Sequence, residues 1–468
     1  VRKRFLCCLV LVAALATTAF ACSSEESGDG VPARGVGDAG VVDSSGDDVT
    51  TGDAATDGDA READDPFVVP DLAVVCETNP CVTSIAGGSD SFCAVFQDGR
   101  VACWGANDSG QLGADPMNGV VTRPLVVSGI SGVTHVGITS DNACARTSDG
   151  SVYCWGSADL VRAGVLPDTA EGLPPFGAVP SPTKQDAVPS SSTLSLGSRY
   201  ACVTTTDGSL SCWGTNEYRE LGRGASEPWT MAAPAKASLL GRPVSSVVAG
   251  VGRTFALDAN GNVMSWGANT AFGSENFMLG RDTSEDPNEK PMLVPLLSGV
   301  RSIATTFWHS CAVAGRFVEC WGANSNGQLG RGSFEDLAYL PGKSIAGDVA
   351  DDEMDASTSE HDIPASIATS PLNTCAVFAS GRVYCWGNTG VTGILGPSVK
   401  PNTIRPVPTR IDGFGGAVVS LAAGSNTMCA LLRSGAVECW GTNDRGQLGL
   451  GTADSQPHPT PSRVSFSQ

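Results

Sequence analysis

Six pairs of cysteines recur along this chain at nearly constant spacing: Cys93 and Cys103, Cys144 and Cys154, Cys202 and Cys212, Cys311 and Cys320, Cys375 and Cys385, and Cys429 and Cys439. Thiols so placed can ligate a metal, exchange electrons or oxidise to structural disulfides. Metal ligation calls for tighter Cys-x-x-Cys knuckles, and none occurs. The four histidines, His135, His309, His361 and His458, are far apart in sequence. Seventeen cysteines in 468 residues also exceed what a reducing compartment normally holds, which favours oxidised pairs. The rival reading is a set of buried free thiols.

The elements that would position these sulfurs are hairpins. Between Cys93-Ala94-Val95-Phe96 and Arg100-Val101-Ala102-Cys103 lies Gln97-Asp98-Gly99. A three-residue loop with glycine last fits a type I turn closed by a left-handed residue. Phe96 then faces Arg100, Val95 faces Val101, Ala94 faces Ala102, and Cys93 faces Cys103. The cysteines fall on a non-hydrogen-bonded site, where Cα atoms approach to about 4.5 Å, the short end of what a disulfide spans. Gly150, Gly208, Gly381 and Gly435 hold the same third loop position in four other repeats. The same count therefore sets Cys144 opposite Cys154, Cys202 opposite Cys212, Cys375 opposite Cys385 and Cys429 opposite Cys439. In the fifth repeat the cysteines are one residue closer, and the loop shrinks to Gly315-Arg316. Counting outward from that two-residue turn again sets Cys311 opposite Cys320. The fourth repeat has Phe255 and Ser265 at the cysteine positions but keeps the turn Ala259-Asn260-Gly261. Cys76 and Cys81, flanking Asn79-Pro80, are expected to bridge each other.

Each hairpin sits inside a longer phrase. A short apolar strand such as Val82–Gly87 precedes it, and Trp-Gly closes it. A Gly-rich loop and a Pro-led strand such as Pro124-Leu125-Val126-Val127 follow. The Trp-Gly pairs begin at Trp104, Trp155, Trp213, Trp266, Trp321, Trp386 and Trp440. Seven copies with a period near 50 residues, short strands and no helical periodicity predict an all-β, seven-bladed β-propeller over 72–468.

The loop after Trp-Gly reads Trp104-Gly105-Ala106-Asn107-Asp108-Ser109-Gly110-Gln111-Leu112-Gly113, and returns at Trp321–Gly330 and Trp440–Gly449. These repeats resemble those of the regulator of chromosome condensation family. The resemblance covers about residues 80–468 and implies a propeller of seven blades. It loosens around Arg219-Glu220-Leu221-Gly222 and Gly393-Ile394-Leu395-Gly396, and is weakest around Arg162-Ala163-Gly164 and Phe277-Met278-Leu279-Gly280. Physically the motif reads as structural: glycines for positive φ, an Asn bonding its own loop, and Leu and Trp packed between blades.

The N-terminal residues read as an export signal. Arg2-Lys3-Arg4 precedes the apolar stretch Phe5–Ala16, whose 12 residues fall short of a membrane span. Ala19-Phe20-Ala21 fits secretory cleavage after residue 21. The same stretch before Cys22-Ser23-Ser24 resembles a bacterial lipoprotein signal, with Ala19 where Leu is usual, which makes Cys22 the expected lipidation site. Residues 22–71 form an acidic tether rich in Gly, Asp and Ala; 14 acidic and 2 basic residues lie in 23–71. Such a stretch buries too little apolar surface to order itself. These features predict an exported protein, attached to the cell surface or outer membrane through lipid alone, or else secreted or periplasmic.

The net charge of −20 argues against nucleic acid and anionic lipid. No nucleophile motif, phosphate loop or metal cluster is legible, so no catalytic residue, metal or cofactor is assigned. The expected function is a monomeric binding scaffold presenting loops to a protein or surface ligand. The alternative is an extracellular hydrolase or lyase. Nucleotide exchange, as in the family's eukaryotic namesake, fits an acidic exported chain less well. Candidate surfaces are the insertion 157–190, the segment 268–292 with Phe272, Phe277 and Met278, and the acidic loop 344–362, which could also attract cations. Trp229 and Trp308 are the two tryptophans outside the repeat motif and candidate interface anchors.

Overall fold

The computed structural model describes residues 72–224, 231–270, 278–283, 287–334, 337–344, 362–390 and 392–466. The signal segment, Cys22 and the tether lie outside the described residues, as do Trp229, Phe272, Phe277 and 345–361 of the acidic loop.

Seven four-stranded antiparallel sheets follow one another along the chain, each built from four consecutive strands. In blade 1 these are β1 (Val82–Gly87), β2 (Ser91–Phe96), β3 (Val101–Ala106) and β4 (Val120–Val126). Blades 2 to 7 begin at Val133, Thr193, Ser246, Val300, Pro364 and Val418. The all-β seven-bladed propeller expected from the repeat is the fold.

The hairpin register follows from turn length. Cys93 pairs with Cys103, Ala94 with Ala102 and Val95 with Val101, and the Phe96 amide donates to the Arg100 carbonyl at 2.9 Å. Gly99, Gly150, Gly208, Gly381 and Gly435 take φ between 76° and 85°, the left-handed residue that closes each turn. The other three-residue turns give the same alignment: Cys144 lies opposite Cys154, Cys202 opposite Cys212, Cys375 opposite Cys385 and Cys429 opposite Cys439. In blade 5 the two-residue turn sets Ala314 against Phe317 and Cys311 against Cys320. All six hairpin pairs are disulfides. Their Cα atoms are 4.0–4.1 Å apart, closer than the roughly 4.5 Å of the uncrosslinked ladder site. Cys76 and Cys81 also pair.

The core lies in slots between blades rather than at one centre. Seven clusters of buried residues occur, and each contains one repeat tryptophan. This is the expected consequence of sheets that bury both faces against neighbours. The outermost strands carry an edge that nothing in the blade covers. Every one contains proline: Pro124, Pro180 and Pro182, Pro234, Pro291, Pro341, Pro406 and Pro408, and Pro457, Pro459 and Pro461. Proline removes the N–H that another strand would use, which protects such edges from pairing. Pro124 therefore lies inside its strand rather than leading it.

The insertion of blade 2 departs from the sequence reading. Residues 157–190 show no helical periodicity in sequence. They hold two short helices, α1 (Ala158–Ala163) and α2 (Pro167–Glu171), and Ala178–Lys184 is the outer strand of the blade. Helix α1 buries Ala158, Leu160 and Val161 in the slot with Trp213. At six residues it is too short to show a helical period in sequence.

Candidate functional site

Strand polarity divides the propeller into two ends. Inner strands finish, and second strands begin, at the end that also carries the loops after Trp-Gly; in blade 1 these are 88–90 and 107–119. The cysteine hairpin turns and the linkers between blades occupy the opposite end. The first end is termed the loop face and the second the hairpin face.

On the loop face the recurrent motif is absorbed in holding blades together. Asn107 accepts the Leu112 amide at 3.0 Å and donates to the carbonyls of Ala114 and Asp115. Asn324 and Asn443 repeat the first contact with Leu329 and Leu448, as does Asn269 with Leu279 in the degenerate fourth repeat. The Gln111 carbonyl accepts Trp155 Nε1 of the next blade at 2.9 Å. Gln328, Ile394 and Met278 carbonyls receive Trp386, Trp440 and Trp321 in the same way. The Gln447 carbonyl receives Trp104, closing the ring from blade 7 to blade 1. Gly327 shows why the motif needs glycine: at φ 69°, an added Cβ would lie 2.7 Å from Pro406 Cα on the next blade. Trp213 is the exception. Helix α1 replaces the usual loop before it, and Trp213 Nε1 has no hydrogen-bond partner among the described residues.

Around the axis, the turns between first and second strands converge on a cavity of about 240 Å³ lined by all seven blades. Its wall is neutral and rich in backbone and hydroxyl groups, including Ser89, Ser140, Ser198 and Ser425, with Val251, Phe307 and Pro371 as apolar members. Neighbouring turns are tied across it: Ser425 N donates to Ser89 O at 2.6 Å, and Ser198 N to Gly250 O at 3.2 Å. Within this wall the Thr306 hydroxyl lies 3.3 Å from Nδ1 of the buried His309 and also accepts the Trp308 and His309 amides, a contact that caps the blade 5 turn.

Trp308, next in the chain to the cavity-lining Phe307, is half-buried and edge-on to it with ring centroids 4.9 Å apart. Met278 is fully buried, so its place in segment 268–292 is structural rather than a surface for partners. The exposed apolar side chains of the loop face are others. Met117 is 93% and Phe176 82% exposed, and Phe334 and Tyr218 are about half exposed. Phe176 falls in the candidate insertion 157–190; Met117 and Phe334 lie in spacers after the motif, where no period marks them, and Tyr218 lies within the loose third-repeat loop.

Electrostatics on this face are mostly acidic. Burial raises the Asp90 carboxyl above the usual range, and the neighbouring Asp444 adds to it. Arg445 pairs with Asp108, and Arg199 contacts Asp159 at 3.2 Å. Glu220 occupies the motif's Gln position. It accepts the Tyr218 amide at 2.7 Å and the Thr215 hydroxyl at 3.0 Å. Burial still pushes its carboxyl up to about 7. His309 is fully buried, which lowers its imidazole to about 3. Thr374 Oγ1 donates to the Gln328 carbonyl, so it accepts from His309 Nε2–H at 2.7 Å, which fixes the tautomer.

A second recurrent feature was missed in the sequence. One inner-strand position carries Ser84, His135, Thr193, Ser246, Ser302, Ser366 and Ser420 in successive blades, each in the same register with its second strand. Ser302 accepts the Ile367 amide of the next inner strand at 3.4 Å. His135 makes a hydrogen bond with the backbone of Leu194, the equivalent residue of blade 3. A polar residue just before each inner-strand apolar one was the available signal. In blades 2 and 5 this residue bonds the next inner strand, whereas Thr193 bonds Thr204 of its own blade and Ser366 Oγ has no partner among the described residues. Among the described residues no group of three His, Cys, Asp or Glu side chains gathers to hold a metal. No helix among them is long and apolar enough to cross a membrane.

The architecture and the loop geometry define a seven-bladed propeller whose repeat motif is a blade-to-blade lock. The chain carries the Regulator of chromosome condensation (RCC1) repeat, matched at residues 82–111, 133–159, 244–273 and 418–447 and, by a second model of the same repeat, at 434–468. It is 28% identical over 355 residues to the RCC1 domain-containing protein RUG3, mitochondrial, of Arabidopsis thaliana, covering 72% of this chain and 74% of that protein. It is 24% identical to the Ultraviolet-B receptor UVR8 of the same plant, covering 81% of each. A 30% match to the human E3 ubiquitin-protein ligase HERC2 spans 74% of this chain but 7% of that protein. Among solved structures, Prp20p from Saccharomyces cerevisiae superimposes with a TM-score of 0.65 at 20% identity, covering 85% of this chain and 91% of that one.

Proposed function

We propose that this propeller is a binding scaffold of an exported protein, presenting its loop face to a protein or cell-surface ligand. The observation that carries the reading is the division of labour on that face. Motif residues are consumed in contacts between blades, while the spacers differ from blade to blade and hold the exposed Met117, Phe176 and Phe334. Variable loops on a rigid frame are the usual place for recognition, and exposed large apolar groups are its usual anchors. The relatives agree at the coarse level. They include a receptor and a secretion-regulating guanine nucleotide exchange factor of Bos taurus, and the solved Prp20p is described by its binding to Gsp1p and histones. Those partners belong to those proteins.

An oxidising address is supported by seven disulfides that use every cysteine among the described residues. A lipid on Cys22 would make the protein a surface or outer-membrane lipoprotein; loss of labelled palmitate in Cys22→Ser is the expected result. The scaffold is proposed to be non-catalytic, and turnover abolished by a single carboxylate change would reverse this. Capture of partners from the cell surface tests the main reading. Met117→Ala, Phe176→Ala and Phe334→Ala together should weaken capture at least about tenfold at unchanged melting temperature. Capture unaffected by all three would count against the loop face.

A further inference from the structure

Six linkers join successive blades covalently, but nothing joins blade 7 back to blade 1. No blade takes strands from both chain ends, since all seven sheets are sequential. The ring is therefore closed by contacts alone: the Trp104–Gln447 bond and the shared core join blades 7 and 1, and the N-terminal segment 72–81 adds a further set.

At most junctions the carbonyl of the hairpin-turn glycine accepts the amide that opens the next blade, as Gly99 O does from Val133 N at 3.0 Å and Gly381 O from Val418 N at 3.1 Å. At the open junction the same bond forms from Val82 N to Gly435 O, 3.0 Å. The segment before Val82 then runs over the blade 7 turn. Val75 N donates to Arg433 O at 2.6 Å, and Glu77 N and Thr78 N donate to Ser434 O at 2.9 and 3.2 Å. The Thr78 hydroxyl adds a bond to the same carbonyl. Cys81 O in turn accepts Gln97 N from the hairpin of blade 1. Cys81 is packed so closely on Gly435 that an added Cβ there would lie 2.6 Å from its sulfur. The C-terminal end reinforces the junction: Phe466 meets Trp104 and Phe96 of blade 1 edge-on, with centroids 5.7 and 5.2 Å apart.

The geometry points to the Cys76–Cys81 loop as a redox-sensitive latch that closes the propeller ring. The twelve hairpin sulfurs belong to fully buried residues, whereas Cys76 is exposed. A dithiol can therefore reach this bond first. One thiolate attacks the exposed Cys76 sulfur, displacing Cys81 as thiolate and forming a mixed disulfide. The second thiol of the reductant then attacks its own linked sulfur. Cys76 leaves as a thiol, and the reductant becomes a cyclic disulfide after giving two electrons to the protein. The hairpins keep their staples while the junction between blades 7 and 1 loses its constraint.

The full chain titrated with dithiothreitol, alkylated and peptide-mapped tests this directly. Cys76 and Cys81 should be labelled at reductant levels that leave the hairpin cysteines oxidised. In parallel, amide exchange at Val82 and Thr78 should quicken about forty-fold in the double variant Cys76→Ser with Cys81→Ser, the factor expected for losing so short a closed loop. Amides of the blade 4 hairpin should be unchanged. Hairpin cysteines labelled together with or before Cys76 would overturn the proposal, as would unchanged Val82 exchange in the double variant. If that variant does not fold, the labelling order in the unaltered chain decides.

Discussion

Glu220 and His309 oppose each other in how the protein responds to pH. The folded chain holds the Glu220 proton up to about pH 7, against an ordinary value of 4.5. Between those values the native state binds more protons than the unfolded one, so stability falls as pH rises, by about 3 kcal/mol over the range. His309 does the reverse. Its folded value of about 3 lies below the ordinary 6.5, so stability falls as pH drops through that window. Glu220→Gln restores the motif residue and removes only the first effect. Urea unfolding of this variant should show stability rising with pH from 4.5 to 6.5, and a gain of about 3 kcal/mol over the parent at pH 7. The indole nitrogens offer a second contrast. Trp440→Phe leaves the buried Ile394 carbonyl without its Nε1 donor and should cost about 1–3 kcal/mol beyond lost packing. Trp213→Phe, with no such partner among the described residues, should cost less.

Blade 4 shows what a blade does without a staple. Phe255 and Ser265 are paired in the register the cysteines use elsewhere. The Phe255 ring is fully buried, edge-on to Trp321 at 5.8 Å. Ser265 donates to the Leu279 carbonyl at 2.7 Å and accepts from Arg281 at 3.1 Å. Installing Phe255→Cys with Ser265→Cys would add roughly 2–3 kcal/mol of loop-closure stabilisation but forfeit about 3–5 kcal/mol of aromatic packing. Thermal melting of the oxidised variant should show no gain. Glycines differ in the same local way. Gly327→Ala drives a Cβ against Pro406 and should destabilise by more than about 2 kcal/mol. Gly129→Ala, in the linker to blade 2, meets nothing within 4 Å and should cost only the strain of its positive φ, about 1 kcal/mol.

At the scale of the whole ring, the prolines of the outer strands keep seven exposed edges from recruiting other chains. Pro457→Thr would restore an N–H group at an exposed position of the blade 7 outer strand. Size-exclusion chromatography of that variant should show concentration-dependent association absent from the parent. A parent chain that already associates would remove prolines as the protecting feature.

The hairpins were legible from local residues alone. Turn length, the left-handed glycine and cross-strand alternation involve near neighbours in the chain. The register of Cys93 with Cys103, its repetition at Cys144 with Cys154, and its preservation through the shortened turn of blade 5 needed no distant contact. The tryptophan count then set the number of blades, because each slot between blades takes one. Four matters were settled only when distant segments met. Helix α1 forms because Leu160 and Val161 find a slot beside Trp213, not because six residues carry a helical signal. Met278 and Trp308 both lie in loops with no period to mark them, yet one is fully buried and the other half-buried. Which loops share an end of the molecule follows from strand polarity, which no single repeat reveals. Closure of the ring depends on residues more than three hundred positions apart, and only the completed circle brings Cys81 to Gly435.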